Sequence, residues 1–579
     1  MAIRIASFAG EIPRLIPRLL GDNYAQIAQN TKLENGNLLP IRRGRFIARL
    51  DEAARTFYKN GDDWLSWPGH VKVVPGPIAE DRLYITGDGA PKVMVGGITT
   101  PLALPRPTST PTAATSSTPG TTFFTVLYAY TWVTDLDEES EPSNLSNELI
   151  VDTSSTVTLT GFSVAPAGRR VNRMRIYRSQ TSAMGATELY FIKERPVSTA
   201  AFTDVIEDNP INELLPSTDY NPPPDNLQGL IALPNGMMAA FVGKRLYFSE
   251  PWRPHAWPEK YILTVDFEIV GLGCFGSSVA VMTKGHPYVA QGLTPDSMTL
   301  ERLRVNLPCV SSQGIVDLGY AVAYPSPDGL VTVSLNGTSV PSKQVMTKDQ
   351  WRMMQPESFV AGQFSGRYMA SYSYHDQASA SEKRGIMLMD LSGEQPFLLR
   401  ASDDADAMFF EIGTGILYLL RNDTDIYEWD ALAEDYGEYL WRSKKFVVSG
   451  YSMFTCMLVE GDPSLTDQQL QEISAKNAAK RARNKALIDA GMTGGTIGEE
   501  AIGLIAIGGS LLDPVDDVDV TFSVTLYGDG EPIWTGYELN KVMRLPGKKR
   551  YRTWEVELRS NQSVTGLVLA YSPSEIAET

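Results

Sequence analysis

The stretch Asp81-Arg-Leu-Tyr-Ile-Thr86 returns, after an interval of unlike sequence, as Lys244-Arg-Leu-Tyr-Phe-Ser249. Looser echoes follow at Asp328-Gly-Leu-Val-Thr-Val333, Gly385-Ile-Met-Leu-Met-Asp390, Gly415-Ile-Leu-Tyr-Leu-Leu420 and Asp425-Ile-Tyr-Glu-Trp429. Most are short aromatic or aliphatic runs with Gly or Asp at the entrance, as in a strand that leaves a tight turn. Repetition of such units without helices between them suits a β-propeller, whose radial repetition leaves few exposed sheet edges. Two pieces of chain, 1–98 and 217–440, carry the pattern and supply enough length for about six to eight blades of ~40–50 residues.

Between those pieces the composition changes twice. Residues 99–120 interleave Pro101, Pro105, Pro107, Pro111 and Pro119 with Thr, Ser and Ala, which reads as a linker. Pro216 and the run Pro222-Pro-Pro224 close the region. Within it, at 121–216, Phe123-Phe-Thr-Val-Leu-Tyr-Ala-Tyr-Thr-Trp-Val133, Thr156-Val-Thr-Leu-Thr160, Arg173-Met-Arg-Ile-Tyr-Arg178 and Glu188-Leu-Tyr-Phe-Ile-Lys193 read as strands of a β-sandwich. Their order, with Tyr128-x-Tyr130-x-Trp132 early, Glu139-Ser-Glu-Pro-Ser143 after a turn and Arg175-Ile-Tyr-Arg-Ser179 later, resembles a fibronectin type III module. The acidic turn Asp135–Glu141 reads as solvated.

Residues 441–579 form a further strand-rich region, expected to be a C-terminal β-sandwich. Into it, at 461–520, is set one helix over about 467–490, with Thr466 as N-cap, Gln469 at the capping-box position and Gly491 as terminator. The helix carries Lys476, Lys480, Arg481, Arg483 and Lys485, candidates for phosphate contact if it lines a conduit; basic residues near a helix end also suit its macrodipole without any ligand. A glycine-rich apolar loop follows, with Gly491, Gly494, Gly495, Gly498, Gly508 and Gly509 as a candidate gate or rim. The fold class is thus mainly β: a propeller-like body split by a fibronectin type III-like sandwich, plus a C-terminal sandwich with one inserted helix.

Chemistry is sparse. The four histidines, His70, His255, His286 and His375, fall in no metal-ligand spacing. Cys274, Cys309 and Cys456 lie far apart with no CxxC, so neither a disulfide framework nor a structural zinc is expected. No nucleophile elbow, P-loop or dinucleotide fingerprint is present. Ser326-Pro-Asp-Gly329 reads as a β-turn, and Asp513, Asp516, Asp517 and Asp519 as an acidic loop rather than an EF-hand. We therefore expect no enzymatic activity and no cofactor or metal. No apolar run reaches the ~20 residues of a membrane span, and the N-terminus lacks the features of a signal peptide. The formal net charge of −17 opposes broad attachment to DNA but would suit a wall past which DNA slides.

The two ends of the chain add a resemblance. Gly10-Glu-Ile-Pro-Arg-Leu-Ile-Pro-Arg18, Ala25-Gln-Ile-Ala-Gln-Asn30 and Gly36-Asn-Leu-Leu-Pro-Ile-Arg-Arg-Gly44 at the start, with Arg550-Tyr-Arg-Thr-Trp-Glu-Val-Glu-Leu558 and Val568-Leu-Ala-Tyr-Ser572 at the end, resemble tail nozzle and tail-hub proteins of short-tailed bacteriophages. The resemblance implies a structural virion protein, assembled in the bacterial host cytoplasm and located in the tail. It implies a homo-hexameric ring that joins a tail adaptor to fibres or spikes and touches double-stranded genomic DNA transiently during ejection, without stable membrane insertion. The propeller's own inner channel is then expected to be filled by packing, the conduit lying between subunits. Two alternatives are a receptor-binding or fibre-attachment tail protein, and a propeller glycosidase or polysaccharide depolymerase, whose paired carboxylates can come from anywhere in a chain.

Overall fold

The computed structural model describes the chain except residues 1, 80, 117–119, 121–122, 182–186, 209–212, 377–380, 392–395, 463–466, 490–520, 548 and 578–579. The protein is mainly β, built from many small sheets. Seven of them are consecutive antiparallel units arranged as propeller blades. Blade 1 is the hairpin 56–67, and blades 2 to 5 are four-stranded meanders over 72–101, 228–264, 269–302 and 316–339. Blade 6 spans 360–401; blade 7 consists of three strands over 407–428 and a fourth, Arg45–Arg49, from far earlier in the chain.

The first strand of each blade lies beside the first strand of the next, from blade 2 round to blade 7 and on to blade 1. Thr56 Oγ1 accepts from Val71 N–H (3.1 Å) and donates to Gly69 O (2.9 Å), joining blade 1 to the connection that leads into blade 2. Apolar clusters fill the gaps between blades. Tyr84, Val93, Met238 and Trp257 pack between blades 2 and 3; Phe275, Met282, Val322 and Val331 between 4 and 5; Phe57, Tyr418, Leu420 and Ile426 between 7 and 1. Strands such as Ser278–Thr283 and Val322–Ser326 are therefore buried on both faces, which is why their sequences do not alternate. Glycine permits the closest approach: a Cβ on Gly273 of blade 4 would stand 2.6 Å from Val322 of blade 5.

The echoed motif occupies different places in different blades. Arg82–Thr86 is the second strand of blade 2, Arg245–Phe248 the third of blade 3. What recurs is a short apolar strand, not one fixed position in a blade.

Residues 1–41, which the echoes alone group with the propeller, pair elsewhere. Ile3–Ile5 joins Gly566–Ala570, and Ala25–Gln29 pairs antiparallel with Tyr439–Ser443 and, in parallel, with Phe397–Ala401 of blade 6. Blade 6 thereby runs on into the C-terminal sheet of Tyr439–Ser443, Tyr551–Ser560, Phe522–Gly528 and Glu531–Gly536. One core with Trp441, Trp554, Met457 and Leu569 fills the space between that sheet and the four-stranded sheet containing Ile3–Ile5. Glu11, buried at the junction, pairs with Arg400 (3.0 Å) and accepts from Ala28 N–H (2.9 Å); burial raises its carboxyl above the ordinary range.

The Pro-rich stretch is also structured. Ile98–Pro101 is the outer strand of blade 2, where proline's missing N–H costs nothing, and Thr112–Thr115 is a strand of the insert. Leu102 and Leu104 are buried. In the insert, two three-stranded sheets enclose Tyr128, Tyr130, Trp132, Val157 and Ile176. Ser140, Ser143 and Ser146 run alongside Tyr128–Thr134. Their hydroxyls accept from the N–H groups of Trp132, Tyr130 and Tyr128, and their own N–H groups bond the carbonyls of the same three residues. The three-residue spacing is that of an extended polyproline-like segment, and it completes an edge without a regular strand.

The acidic turn is solvated as expected at Asp135 and Asp137 but not beyond them. Glu138 and Glu139 are buried because each carboxylate has partners: Arg169 on Glu138 (2.7 Å), and Arg175 (2.8 Å) with the Tyr177 hydroxyl (2.5 Å) on Glu139. Arg169 also donates to the carbonyls of Leu102 and Ala103, and His255 of the body bonds the Glu139 carbonyl through Nε2 (3.0 Å). This polar plug joins insert to body.

Burial pushes His255 down to about 4, the nearby Glu138 opposing and Arg169 and Arg253 reinforcing the shift. In the unfolded chain its ring protonates near the ordinary value, so between about pH 6.5 and pH 4 the unfolded state binds the extra proton. Stability then falls as pH falls through that window, by on the order of 3 kcal/mol for this residue. Urea midpoints measured across it should drop less steeply for His255→Gln than for the wild type; parallel curves would contradict the assignment.

Candidate functional site

The first strands of the seven blades surround a cavity of about 520 Å³ on the propeller axis. Residues from every blade line it, among them Phe57, Lys72, Gln228, Leu272, Ile315, Ala361 and Met408. The expectation of a packed channel is thus overturned. Seven blades hold their inner strands too far apart for small side chains such as Gly229, Gly271 and Ala361 to fill the axis.

A second cavity of about 310 Å³ shares Arg55, His70, Gln313 and Val360 with the first and forms its mouth. There Gln313 Nε2–H donates to His70 Nδ1 (2.7 Å). His70 precedes the first strand of blade 2 and Gln313 that of blade 5, so the bond spans the ring from one side to the other. Accepting at Nδ1 assigns the remaining proton of the neutral ring to Nε2. Burial, with Arg55 and Lys72 nearby, lowers the His70 pKa and favours this neutral form.

Around the mouth the charges are paired. Arg55 meets Asp423 at 3.0 Å, and Arg384 reaches Asp404 (3.4 Å) and Asp406 (3.6 Å). Asp404 and Asp406 are the carboxylates nearest the channel. Glycoside hydrolysis uses one carboxyl as acid and the other as nucleophile or base, whereas here one guanidinium holds both. Deeper in the channel the arrangement differs. Lys72, on the inner strand of blade 2, is surrounded by protein but remains accessible within the cavity, and burial lowers its pKa. No sequence signal marks Lys72; only the ring places it on the axis.

The basic helix residues lie on one described helix, Asp467–Asp489, but not on one face of it. At 100° per residue Lys476, Lys480 and Arg483 share a stripe, while Arg481 and Lys485 point to the opposite side. Lys476, Arg481, Arg483 and Lys485 are exposed and Lys480 is half-buried; Lys480 and Arg483 have partners. The apolar residues of the helix, its alanines together with Leu470, Ile473, Leu487 and Ile488, gather on no single stripe of its sequence. Gly491, Gly494, Gly495, Gly498, Gly508 and Gly509, and the Asp513–Asp519 loop, lie outside the described residues. Among the described residues no three His, Cys, Asp or Glu converge as a metal site, and no helix is long and apolar enough to cross a membrane. Ser326 and Gly329 pair across a two-residue hairpin turn within blade 5.

No protein-family model and no curated protein matches the chain. Among solved structures it is similar to PorZ, an essential bacterial surface component of the type-IX secretion system of Porphyromonas gingivalis, at 10% identity and a TM-score of 0.20. The match covers 66% of this chain and 42% of PorZ, so the chain spans less than half of that protein. At that score the likeness carries no argument.

His70 and Lys72 make a testable pair. Removing the Lys72 charge removes one of the terms that disfavour protonated His70, so Lys72→Met should raise the His70 pKa toward its ordinary value. An NMR titration of the His70 ring reads this directly, and an unchanged midpoint would contradict the placement of Lys72.

Proposed function

We propose that the chain is a structural subunit of a short-tailed phage tail, a nozzle protein that assembles into a ring around a genome conduit and offers a docking surface to an adaptor and to fibres. The observation that carries this reading is the union of the chain's two ends. The segments that resemble nozzle proteins, residues 10–44 and 550–572, are far apart in sequence. Ala25–Gln29 and Tyr551–Ser560 nevertheless both pair with Tyr439–Ser443, and Ile3–Ile5 pairs with Gly566–Ala570. A resemblance confined to both termini is intelligible when they build one unit.

Two further observations support the reading. The axial cavity of about 520 Å³ is far too small for a duplex, so a conduit for double-stranded DNA has to lie between subunits. The net charge of −17 suits a wall that DNA passes without adhering. In this reading the helix Asp467–Asp489 offers Lys476, Lys480 and Arg483 as one stripe for passing phosphates or for an acidic neighbour.

Class-averaged electron micrographs of the assembled full-length chain test the proposal. We expect a closed ring, six-fold in the simplest case, with a continuous central channel. An elongated trimer would overturn it in favour of a fibre-type or receptor-binding protein.

A further inference from the structure

The axial cavity has a chemical character opposite to that of the whole molecule. The chain carries 68 acidic against 51 basic residues, yet among the described residues no Asp or Glu lines this cavity, while Arg55, His70 and Lys72 do. Two of the three are already engaged, Arg55 with Asp423 and His70 with Gln313. Lys72 is different: among the described residues its ammonium has no hydrogen-bond or ion-pair partner, although protein surrounds it. The wall it shares is of mixed character, with Phe57, Phe241 and Leu272 beside Thr86, Gln228 and His70.

Lys72 keeps contact with solvent in the channel, but an ammonium ringed by protein and lacking a counter-charge is less well stabilised than one on the open surface, which leaves it a partner to gain. Here the space beside it is neither filled nor closed. At about 520 Å³ it falls in the size range of small-molecule sites, and it opens through the mouth that the His70–Gln313 bond crosses. A mixture of apolar wall and a few convergent polar groups is also found in such sites.

We propose that the propeller channel is a binding site for a small oxyanion, a carboxylate or phosphate group on a molecule that fits the cavity, with Lys72 as the charge that recognises it. The protein around the channel strengthens the attraction, since its local dielectric is lower than that of bulk water. Thr86 lies opposite Lys72 in the blade 2 ladder, its hydroxyl already accepting from Leu230 N–H (3.3 Å), and the mouth's paired charges leave neutral His70 as the entrance group. This site is independent of the nozzle reading, since it lies within one subunit and is far too narrow for nucleic acid.

Calorimetric titration of the full-length protein with inorganic phosphate and with succinate, at constant chloride, tests the proposal. Saturable binding is expected for the wild type. Losing a charged hydrogen-bond donor should weaken it at least about tenfold in Lys72→Met, whereas Lys72→Arg, which keeps the charge, should retain most of it. Lys72→Met removes an unpaired enclosed charge and should fold at least as stably as the wild type, which a thermal melt without ligand verifies. Binding in the wild type should also shift the His70 ring resonances. Absence of saturable binding by either anion, or binding equally strong in a folded Lys72→Met variant, would overturn the proposal; the second outcome would move the anion site to surface cations such as those of the Asp467–Asp489 helix.

Discussion

A ring of blades must be closed, and in this chain closure depends on strand Arg45–Arg49 joining Asp425–Glu428 across nearly four hundred residues. The pairing is pinned at both ends by ion pairs, Arg45 with Glu428 (2.7 Å) and Arg49 with Asp425 (2.6 Å). Both guanidinium groups are partly exposed, so the pairs add little stability. Their role is register: a one-residue slip would turn Ile426 away from Phe57, Tyr418 and Leu420 and empty the core between blades 7 and 1. The loop-closure entropy of such a distant contact grows only slowly with length, and a fourth strand repays it by covering the open edge of blade 7.

Other features follow from that closure. Once the N-terminal segment is anchored in blade 7, the residues before it are held beside blade 6, where Ala25–Gln29 extends the sheet and Glu11 meets Arg400. The C-terminal strands then complete the same sheet. The insert is fixed separately, through buried Arg169 bridging Glu138 to the backbone of Leu102 and Ala103, and through His255. The rigid ring leaves an axis that small inner-strand side chains do not fill, and Lys72 is the charge set beside that space.

Much of this was legible in the sequence, in proportion to how local the signal is. Strands such as Arg82–Thr86 and Tyr128–Thr134 declare themselves by composition, and the Pro clusters flank a separate module. Sheet membership was less legible. Nothing near Ile3 or Ala25 names partners at Leu569 or Trp441, because pairing over such separations is decided by tertiary packing. The acidic turn was misread for a related reason: Glu138 and Glu139 look solvated until Arg169 and Arg175 are brought to them. Lys72 was invisible because one lysine in a short strand is ordinary, and only a closed ring turns it toward an axis. The glycines from Gly491 to Gly509 were conspicuous in sequence, yet the structure neither supports nor corrects their reading as a rim.

The central claim is that the N-terminal strand closes the propeller as an integral part of blade 7. Native-state hydrogen exchange followed residue by residue reads this most directly, since amides that open together belong to one cooperative unit. The closed ring predicts that the hydrogen-bonded amides of Arg45–Arg49 are protected as strongly as those of Asp425–Glu428 and open with them. Rapid exchange of Arg45–Arg49 while Asp425–Glu428 stays protected would show a frayed edge and contradict the account.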